Sequence, residues 1–183
     1  MLPMEKDVMV HGLRFRPLIA AAEIQERVAG MGAAISEAYR DKNPLFLGVL
    51  NGCFVFMADL LRHCDIACEV SFIKLSSYEG LQSSGTVKTQ IGLETDIRGR
   101  HVILVEDIVD TGRTLSAFLP ELKAMEPASV ALASLVVKPD ALAFPLHIDY
   151  VGFEIENRFI VGYGLDYNGQ ARNLPGIFQL AST

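Results

Sequence analysis

The chain has 183 residues, of which 50% are hydrophobic and 21% charged, so it is long and apolar enough to bury one globular core. Its formal net charge of −6 disfavours broad binding to nucleic acids or acidic membranes, which attract basic proteins. The N-terminal residues lack the apolar centre of a signal peptide, and no apolar run is long enough to span a bilayer. We therefore expect one domain, located in the cytoplasm, that binds neither nucleic acid nor membrane.

Helical and extended patterns alternate along the first half of the chain. Residues 17–39 place apolar side chains at helical spacing, which predicts an amphipathic helix that covers a sheet. A buried strand, a helix and a second strand are predicted next, at residues 45–50, 54–63 and 68–75. Asn51 and Gly52, which lie between the first of these strands and its helix, are residue types that tolerate positive φ. They therefore predict a turn that connects the two elements.

The next segment, residues 76–86, is rich in Ser and Gly and poor in apolar side chains. Composition by itself favours an ordinary solvated connector here. Residues 88–91 predict a short return strand, and residues 95–100 predict a turn.

Residues 102–115 form the most informative segment, V-I-L-V-E-D-I-V-D-T-G-R-T-L. Its first four residues are a β-branched apolar run, as expected of a parallel strand that is buried on both faces. Acids and then an Asp-Thr-Gly-Arg-Thr string follow, directly before the helical pattern of residues 115–125. Ligands of open α/β sheets lie beyond the carboxyl ends of the strands, so we expect the functional site at this point.

The string at residues 110–114 has the composition of a phosphate-binding loop. Its backbone N–H groups at the mouth of a helix are suited to a phosphate monoester, with the Thr111 and Thr114 hydroxyls as further donors. A simpler interpretation exists for each part, because Asp110 or Thr114 could only cap the helix and Gly112 could only make the turn.

Two adjacent acids, Glu106 and Asp107, stand beside this loop. Helix capping does not require them, whereas Mg²⁺ is often held between carboxylates and the phosphate oxygens of a ligand. The whole segment resembles the phosphoribosyl pyrophosphate (PRPP) binding motif of type I phosphoribosyltransferases. The resemblance extends over most of the chain to the hypoxanthine-guanine phosphoribosyltransferases. It implies an α/β fold with a central, mainly parallel twisted sheet flanked by helices, and a small hood subdomain.

The last third of the chain predicts one more buried strand, residues 129–137, followed by Lys138. A lysine at this place is usually only a solvated strand end, but the resemblance implies that Lys138 contacts the exocyclic oxygen of a purine. Repeated glycines and aromatic residues in residues 150–167 predict short strands and tight turns. We expect a single domain over residues 1–183, with the hood formed mainly by about 150–183 plus N-terminal residues.

The resemblance also implies roles for four hood residues. Phe159 would stack on the purine, and Ile160 would offer backbone hydrogen bonds to its edge. Asp166 would contact the base edge or hold a second Mg²⁺ through water, and Arg172 would reach pyrophosphate. Taken separately, core packing also explains Phe159, and a turn cap also explains Asp166.

Two loops acquire roles from the same resemblance. Asn51 and Gly52 would bind pyrophosphate through the backbone, with a non-proline cis peptide at or near the bond between Leu50 and Asn51. The family commonly has lysine where this chain has Asn51, a departure that removes a cation and leaves the backbone donors. Ser77 and Tyr78 would belong to a long lid loop that closes over the site and excludes water.

The function that the resemblance implies is Mg²⁺-dependent transfer of 5-phosphoribosyl from PRPP to hypoxanthine or guanine, giving IMP or GMP and pyrophosphate. Asp110 would be the general base at a purine ring nitrogen. The same resemblance and the apolar N-terminal half suggest a homodimer or homotetramer. The alternatives are a phosphoribosyltransferase for another base, a non-catalytic regulator that senses PRPP or a nucleotide, and a generic nucleotide-binding domain. Lys138 and the hood pattern favour a 6-oxopurine, and the retained acids favour catalysis.

Overall fold

Ten strands and three α-helices are formed by the residues that the computed structural model describes, which are 6–76, 88–91, 93 and 95–181. The helices are α1 (Ala21–Ala38), α2 (Phe54–Arg62) and α3 (Arg113–Ala124). The strands are β1 (Val8–Val10), β2 (Leu13–Ile19), β3 (Leu45–Leu50), β4 (Glu69–Ser76), β5 (Lys88–Ile91), β6 (His101–Val109), β7 (Ser129–Val137), β8 (Tyr150–Glu154), β9 (Ile160–Val161) and β10 (Ile177–Leu180). No described helix combines the length and the apolar composition that a membrane crossing needs.

A six-stranded sheet in the order β5-β4-β3-β6-β7-β8 forms the centre of the molecule. Five of its strands are parallel, and β5 runs antiparallel to β4 at one edge. Apolar side chains of β3 and β6 point alternately to the two faces, because successive side chains of a strand face opposite ways. Phe46 and Ile103 pack with α1 and α2, whereas Leu47 and Leu104 pack with α3. The predicted central parallel sheet with helices on both faces is therefore confirmed.

A second, antiparallel sheet has the order β1-β2-β10-β9 and joins N-terminal to C-terminal residues. Its own small core contains Phe15, Val161 and Phe178. The segment at Tyr150–Glu154, which the sequence analysis assigned to the hood, lies instead in the central sheet as β8. It pairs in parallel with β7, from Ala133↔Tyr150 onwards, and it is only half-buried because it is an edge strand.

The predicted helix at residues 17–39 begins later than expected. Pro17 and Ile19 belong to β2, where they pair with Phe178 and Ile177 of β10. This pairing joins segments about 160 residues apart in sequence, so it overrides the local helical spacing of the apolar residues.

Candidate active site

Predicted site residues from three strands meet at the carboxyl ends of the parallel strands of the central sheet. Asn51 follows β3, Glu106 and Asp107 lie near the end of β6, and Lys138 follows β7. Because these strands are parallel and adjacent, their carboxyl ends lie side by side.

The segment between β6 and α3 forms a tight loop at the helix N-terminus. Gly112 has φ of +75°, and a Cβ at this position would lie 2.8 Å from Leu146 Cδ1, so glycine suits both the conformation and the space. The Thr111 carbonyl accepts a hydrogen bond from the Ala143 amide at 3.1 Å. A cavity of about 120 Å³ is lined by Glu106 and by residues 108–115. The first N–H groups of α3 have no partner within the helix, so this loop can bind an anion.

Asp110 and Lys138 form an ion pair, with Lys138 Nζ 2.8 Å from Asp110 Oδ2. The Lys138 side chain is only 6% exposed, which argues against a solvated strand end. Gly112 is the N-cap residue of α3, so neither Asp110 nor Thr114 occupies the capping position. The capping interpretation of these two side chains is therefore wrong, and a proton acceptor and a cation stand together instead.

The two adjacent acids lie within β6, and not beyond its end as the sequence analysis expected. Glu106 is paired in register with Ser134, because β7 continues alongside β6 as far as Val137. Burial, and then the neighbouring Asp107 charge, raise the pKa of Glu106 well above its ordinary value. The site therefore resists a full negative charge on both carboxylates unless a cation compensates it.

Burial raises the pKa of Asp107 to about 6, although backbone N–H groups and Arg172 act to lower it. Asp166 is close enough to contribute a further increase in this pKa. Asp107 thus lies near a carboxylate and a guanidinium that both come from the segment after β9.

The turn after β3 packs directly against Asp107. A Cβ at Gly52 would lie 1.6 Å from Asp107 Oδ2, so only glycine fits there without movement. The peptide bond between Leu50 and Asn51 is cis, at the place that the resemblance implied. The packing of Gly52 against Asp107 holds this backbone beside the acids of β6.

The segment after β9, residues 162–172, also reaches this turn, and we call it the 162–172 loop. A Cβ at Gly164 would lie 2.2 Å from the Gly52 carbonyl oxygen. Arg172 Nη1 donates to the Gly164 carbonyl at 2.6 Å, and Arg172 Nη2 lies 2.5 Å from Asp166 Oδ1. Asp166 also accepts a hydrogen bond from the Gly169 amide, as the turn-cap interpretation expected. The predicted pyrophosphate residues Asn51, Gly52 and Arg172 thus gather around Asp107.

The acids present a partial set of ligands for a divalent cation. Among the described residues, no three His, Cys, Asp or Glu side chains form a complete metal-binding cluster. Mg²⁺ does not need one, because it usually binds one or two carboxylates together with substrate oxygens and water. The raised pKa values of Glu106 and Asp107 mark negative charge that a cation would stabilise, so the pair fits this mode.

The predicted base-stacking residue lies in the antiparallel sheet. The Phe159 side chain is 46% exposed, and its ring lies 5.5 Å from the Tyr167 ring and 6.1 Å from the Phe15 ring. It is therefore held from one side and open on the other, which core packing does not explain. Ile160 is buried next to it in β9. No hydrogen bond or ring contact among the described residues joins Phe159 to Lys138.

Ser77 and Tyr78, the predicted lid residues, lie outside the described residues. The sequence analysis missed Tyr163 and Asp59, which link the 162–172 loop to α2 through a 2.6 Å hydrogen bond. The sequence does contain a signal for Asp59, because it is the only charged residue in the apolar run 53–61.

Comparison with known proteins gives concordant matches. A family model described as the phosphoribosyl transferase domain matches residues 20–168. The hypoxanthine-guanine phosphoribosyltransferase of Streptococcus pneumoniae is 44% identical over 161 residues, covering 87% of this chain and 89% of that protein. The hypoxanthine-guanine-xanthine phosphoribosyltransferase of Tritrichomonas foetus is 43% identical over 163 residues, covering 88% and 89%. A crystal structure of a Bacillus anthracis hypoxanthine-guanine phosphoribosyltransferase has a TM-score of 0.85 at 36% identity, covering 91% of this chain and 96% of that one.

Proposed function

The chain belongs to the phosphoribosyl transferase family, and we propose that its site transfers the 5-phosphoribosyl group of PRPP to hypoxanthine or guanine. The products are IMP or GMP and pyrophosphate, so the protein is a purine-salvage transferase. Five parallel strands with helices on both faces are the fold of type I phosphoribosyltransferases. The observation that carries the proposal is that the 110–114 loop, the half-buried acids Glu106 and Asp107 and the Asp110–Lys138 pair meet at the carboxyl ends of the parallel strands.

The 5′-phosphate of PRPP binds the 110–114 loop. Backbone N–H groups at the N-terminus of α3 and the hydroxyls of Thr111 and Thr114 donate to its oxygens, and Arg113 adds positive charge. The left-handed conformation of Gly112 supports this role, because it turns the chain from β6 into the helix within three residues.

Pyrophosphate binds between the Asn51 and Gly52 backbone and Arg172. The close approach of Gly164 to the Gly52 carbonyl oxygen and the hydrogen bond from Arg172 to the Gly164 carbonyl support this assignment. The chain has no lysine at position 51, so Arg172 is the cation that we assign to the leaving group.

The transferase needs a divalent cation, which we propose is Mg²⁺. Glu106 and Asp107 would hold it or the ribose hydroxyls, and Asp166 would hold a second ion through water. When bound, the cation neutralises charge on the leaving pyrophosphate. Support comes from the two raised pKa values and from the oxygen-only chemistry of these side chains.

A 6-oxopurine binds between Lys138 and Phe159. An ammonium has three N–H donors, so Lys138 can pair with Asp110 and donate to the 6-oxo group at the same time. Adenine carries an amino group at this position, which donates and offers Lys138 no good acceptor. Phe159 stacks on the ring, and the Ile160 backbone contacts its edge. In this arrangement the antiparallel sheet is the hood over the base.

Asp110 accepts the proton from the purine ring nitrogen as the opposite nitrogen attacks the ribose. The bond from the anomeric carbon to pyrophosphate breaks while the bond to the purine forms, and positive charge develops on the ribose. Carboxylates at Glu106 and Asp107 stabilise this charge. Holding base and ribose in line supplies most of the acceleration, because little covalent work falls to the protein.

Two further proposals concern the assembly of the chain and its location in the cell. The chain assembles as a homodimer or homotetramer through an apolar patch that we define as Phe54, Val70 and Phe72, all three exposed. Phe72 and α2 lie together, since a Cβ at Gly48 would meet both Phe72 and Met57. The protein acts in the cytoplasm, where its free cysteines stay reduced.

The test is incubation of the purified protein with PRPP and hypoxanthine, with Mg²⁺ or with EDTA. We expect IMP and pyrophosphate in equal amounts with Mg²⁺ and neither with EDTA. Binding of PRPP without any product from hypoxanthine or guanine would reject the proposal and favour a regulator that senses PRPP.

A further inference from the structure

A hydrogen bond connects the 162–172 loop to helix α2. Tyr163 Oη donates to Asp59 Oδ2 at 2.6 Å, between residues 104 positions apart. Tyr163 is only 3% exposed, and its φ of +50° is an uncommon conformation for an aromatic residue. Burial, followed by the hydrogen bond and the charge of Asp59, raises the pKa of Tyr163, so the phenol remains a donor.

Asp59 joins three parts of the molecule through one carboxylate. Gln25 of α1 donates to the same oxygen, Oδ2, at 2.7 Å. Arg62 of α2 lies 3.5 Å from Oδ1. The carboxylate is therefore held from two helices, and Tyr163 attaches the loop to a fixed acceptor.

Gly164, the residue after Tyr163, packs against the turn at Asn51 and Gly52. Gly164 has φ of +101°, and a Cβ there would lie 2.2 Å from the Gly52 carbonyl oxygen. Gly164 also exchanges two hydrogen bonds with Arg172, one from its N–H to the Arg172 carbonyl at 3.0 Å and one to its carbonyl from Nη1 at 2.6 Å. A shift of the chain at residue 163 must therefore move Gly164, Arg172 or both.

The hydrogen bond from Tyr163 to Asp59 also positions the 162–172 loop relative to the turn at Asn51 and Gly52. Helix α2 begins at Phe54, two residues after Gly52, and Asp59 lies in its second turn. The helix is rigid, so anchoring the loop at Asp59 sets its distance from the turn that precedes the helix.

We infer that Tyr163 and Asp59 form a clamp that positions Arg172 and the Asn51–Gly52 backbone for the pyrophosphate group of PRPP. Both are positioning residues, since they act through Gly164 and Arg172 and not on the substrate. The inference rests on the proposed function and deepens it, because it assigns pyrophosphate affinity to a pair outside the site.

The direct test is Tyr163→Phe, which removes the hydroxyl and keeps the ring. We expect the KM for PRPP, and the KM for pyrophosphate in the reverse reaction, to rise about tenfold, as for the loss of a hydrogen bond to a charged group. The KM values for hypoxanthine and IMP should change less than twofold. If the hydroxyl had a purely structural role, its loss would lower the melting temperature. The KM values for PRPP and pyrophosphate would then change no more than those for hypoxanthine and IMP.

Tyr39→Phe is the matched control. Tyr39 is also buried, and its hydroxyl lies near Ser129, at the opposite end of β7 from Lys138. Removing this hydroxyl should leave all four KM values unchanged.

Substitution of the acceptor gives a second, independent test. Asp59→Asn keeps an oxygen that accepts from Tyr163 and Gln25, so it should retain a KM for PRPP within about threefold of wild type. Asp59→Leu removes the acceptor and should match or exceed the defect of Tyr163→Phe. Equal defects in Asp59→Asn and Asp59→Leu would overturn the clamp.

Hydrogen exchange separates failure of the clamp from failure of the proposed function. Peptides that cover residues 162–172 should exchange faster in Tyr163→Phe than in wild type or Tyr39→Phe. If wild type turns over no purine, the proposed function is rejected, and this exchange difference alone decides whether the clamp exists. An active wild type together with an unchanged KM for PRPP in Tyr163→Phe rejects the clamp and leaves the function intact.

Discussion

At the scale of single residues, the ion pair between Asp110 and Lys138 is the most informative contact of the site. It places a carboxylate that can accept a proton beside an ammonium that can donate to an oxygen. Both groups follow neighbouring parallel strands, so their meeting is a consequence of the sheet order.

Asp110→Asn should lower kcat about 10²-fold or more, the usual loss when a general base is removed. The KM for PRPP should change little, because the amide still accepts from Lys138 and the 110–114 loop stays in place. Steady-state kinetics with both substrates varied gives both constants. Asp140→Asn, at an exposed position close by, is the control and should behave as wild type. A wild-type kcat for Asp110→Asn would remove Asp110 from the base role.

The raised pKa of Asp107 leads to a prediction about stability in the absence of metal. The folded protein holds this proton up to about pH 6, whereas the ordinary pKa is 3.8, so the group stabilises the fold below about pH 4 and that contribution is lost as the pH rises through 6. Asp107→Asn does not titrate. The variant should therefore gain unfolding free energy relative to wild type, by up to about 3 kcal/mol, between pH 4 and pH 7 in EDTA.

Urea unfolding of both proteins across this pH range measures the difference. Mg²⁺ with PRPP should reduce the gain, because bound cation stabilises only the wild-type carboxylate. A difference that does not vary with pH would show that Asp107 is not destabilised as an anion.

At the scale of elements, the turn after β3 depends on the absence of a side chain at Gly52. Gly52→Ala should raise the KM for PRPP at least tenfold, because the added methyl group would occupy the place of the Asp107 carboxylate and displace one of them. Kinetics and thermal melting should be measured together. Gly30→Ala is the control, because a Cβ there meets nothing within 4 Å and alanine favours the helix interior of α1. Wild-type kinetics in Gly52→Ala would contradict the close packing of this turn on Asp107.

The sequence predicted those elements whose formation depends on local pattern. Strands β3 and β7 begin and end where their apolar runs do, because both are buried on each face. The start of α1 was wrong because β2 is decided by its distant partner β10. Glu106 and Asp107 were expected beyond β6, yet pairing with β7 extends the strand through them.

The same distinction between local pattern and distant contacts applies to the candidate site. The 110–114 loop is contiguous in sequence, so its composition was enough to predict a loop directly before a helix, which the structure has between β6 and α3. The Asp110–Lys138 pair was not foreseen, since it depends on the adjacency of β6 and β7. Tyr163 and Asp59 are 104 residues apart, and their roles follow only from the folded contact.

At the scale of the whole molecule, the apolar patch of Phe54, Val70 and Phe72 predicts self-association. Phe72→Asp should shift the protein towards the monomer, because a charge buried in an apolar interface is costly. Sedimentation velocity at several concentrations measures this shift. Phe144→Asp is matched in exposure, 37% against 38%, and lies beside the 110–114 loop on another surface, so it should keep the wild-type assembly. An unchanged assembly in Phe72→Asp, or a monomeric wild type, would reject this interface.

We propose that the two sheets divide the binding of the charged sugar phosphate and the apolar base. The loops and acids of the central sheet would bind PRPP, and the exposed ring of Phe159 in the antiparallel sheet would bind the base. The preference for a base with an exocyclic oxygen depends, in this proposal, on the hydrogen bond that Lys138 donates.

The most direct measurement is turnover of hypoxanthine, guanine, xanthine and adenine with PRPP and Mg²⁺, by wild type and by Lys138→Ala. We expect IMP and GMP but no AMP from wild type. For Lys138→Ala we expect a KM for hypoxanthine raised about tenfold or more, with little change for PRPP. Formation of AMP at a comparable rate, or equal losses for both substrates in Lys138→Ala, would contradict the assignment of this site to 6-oxopurines.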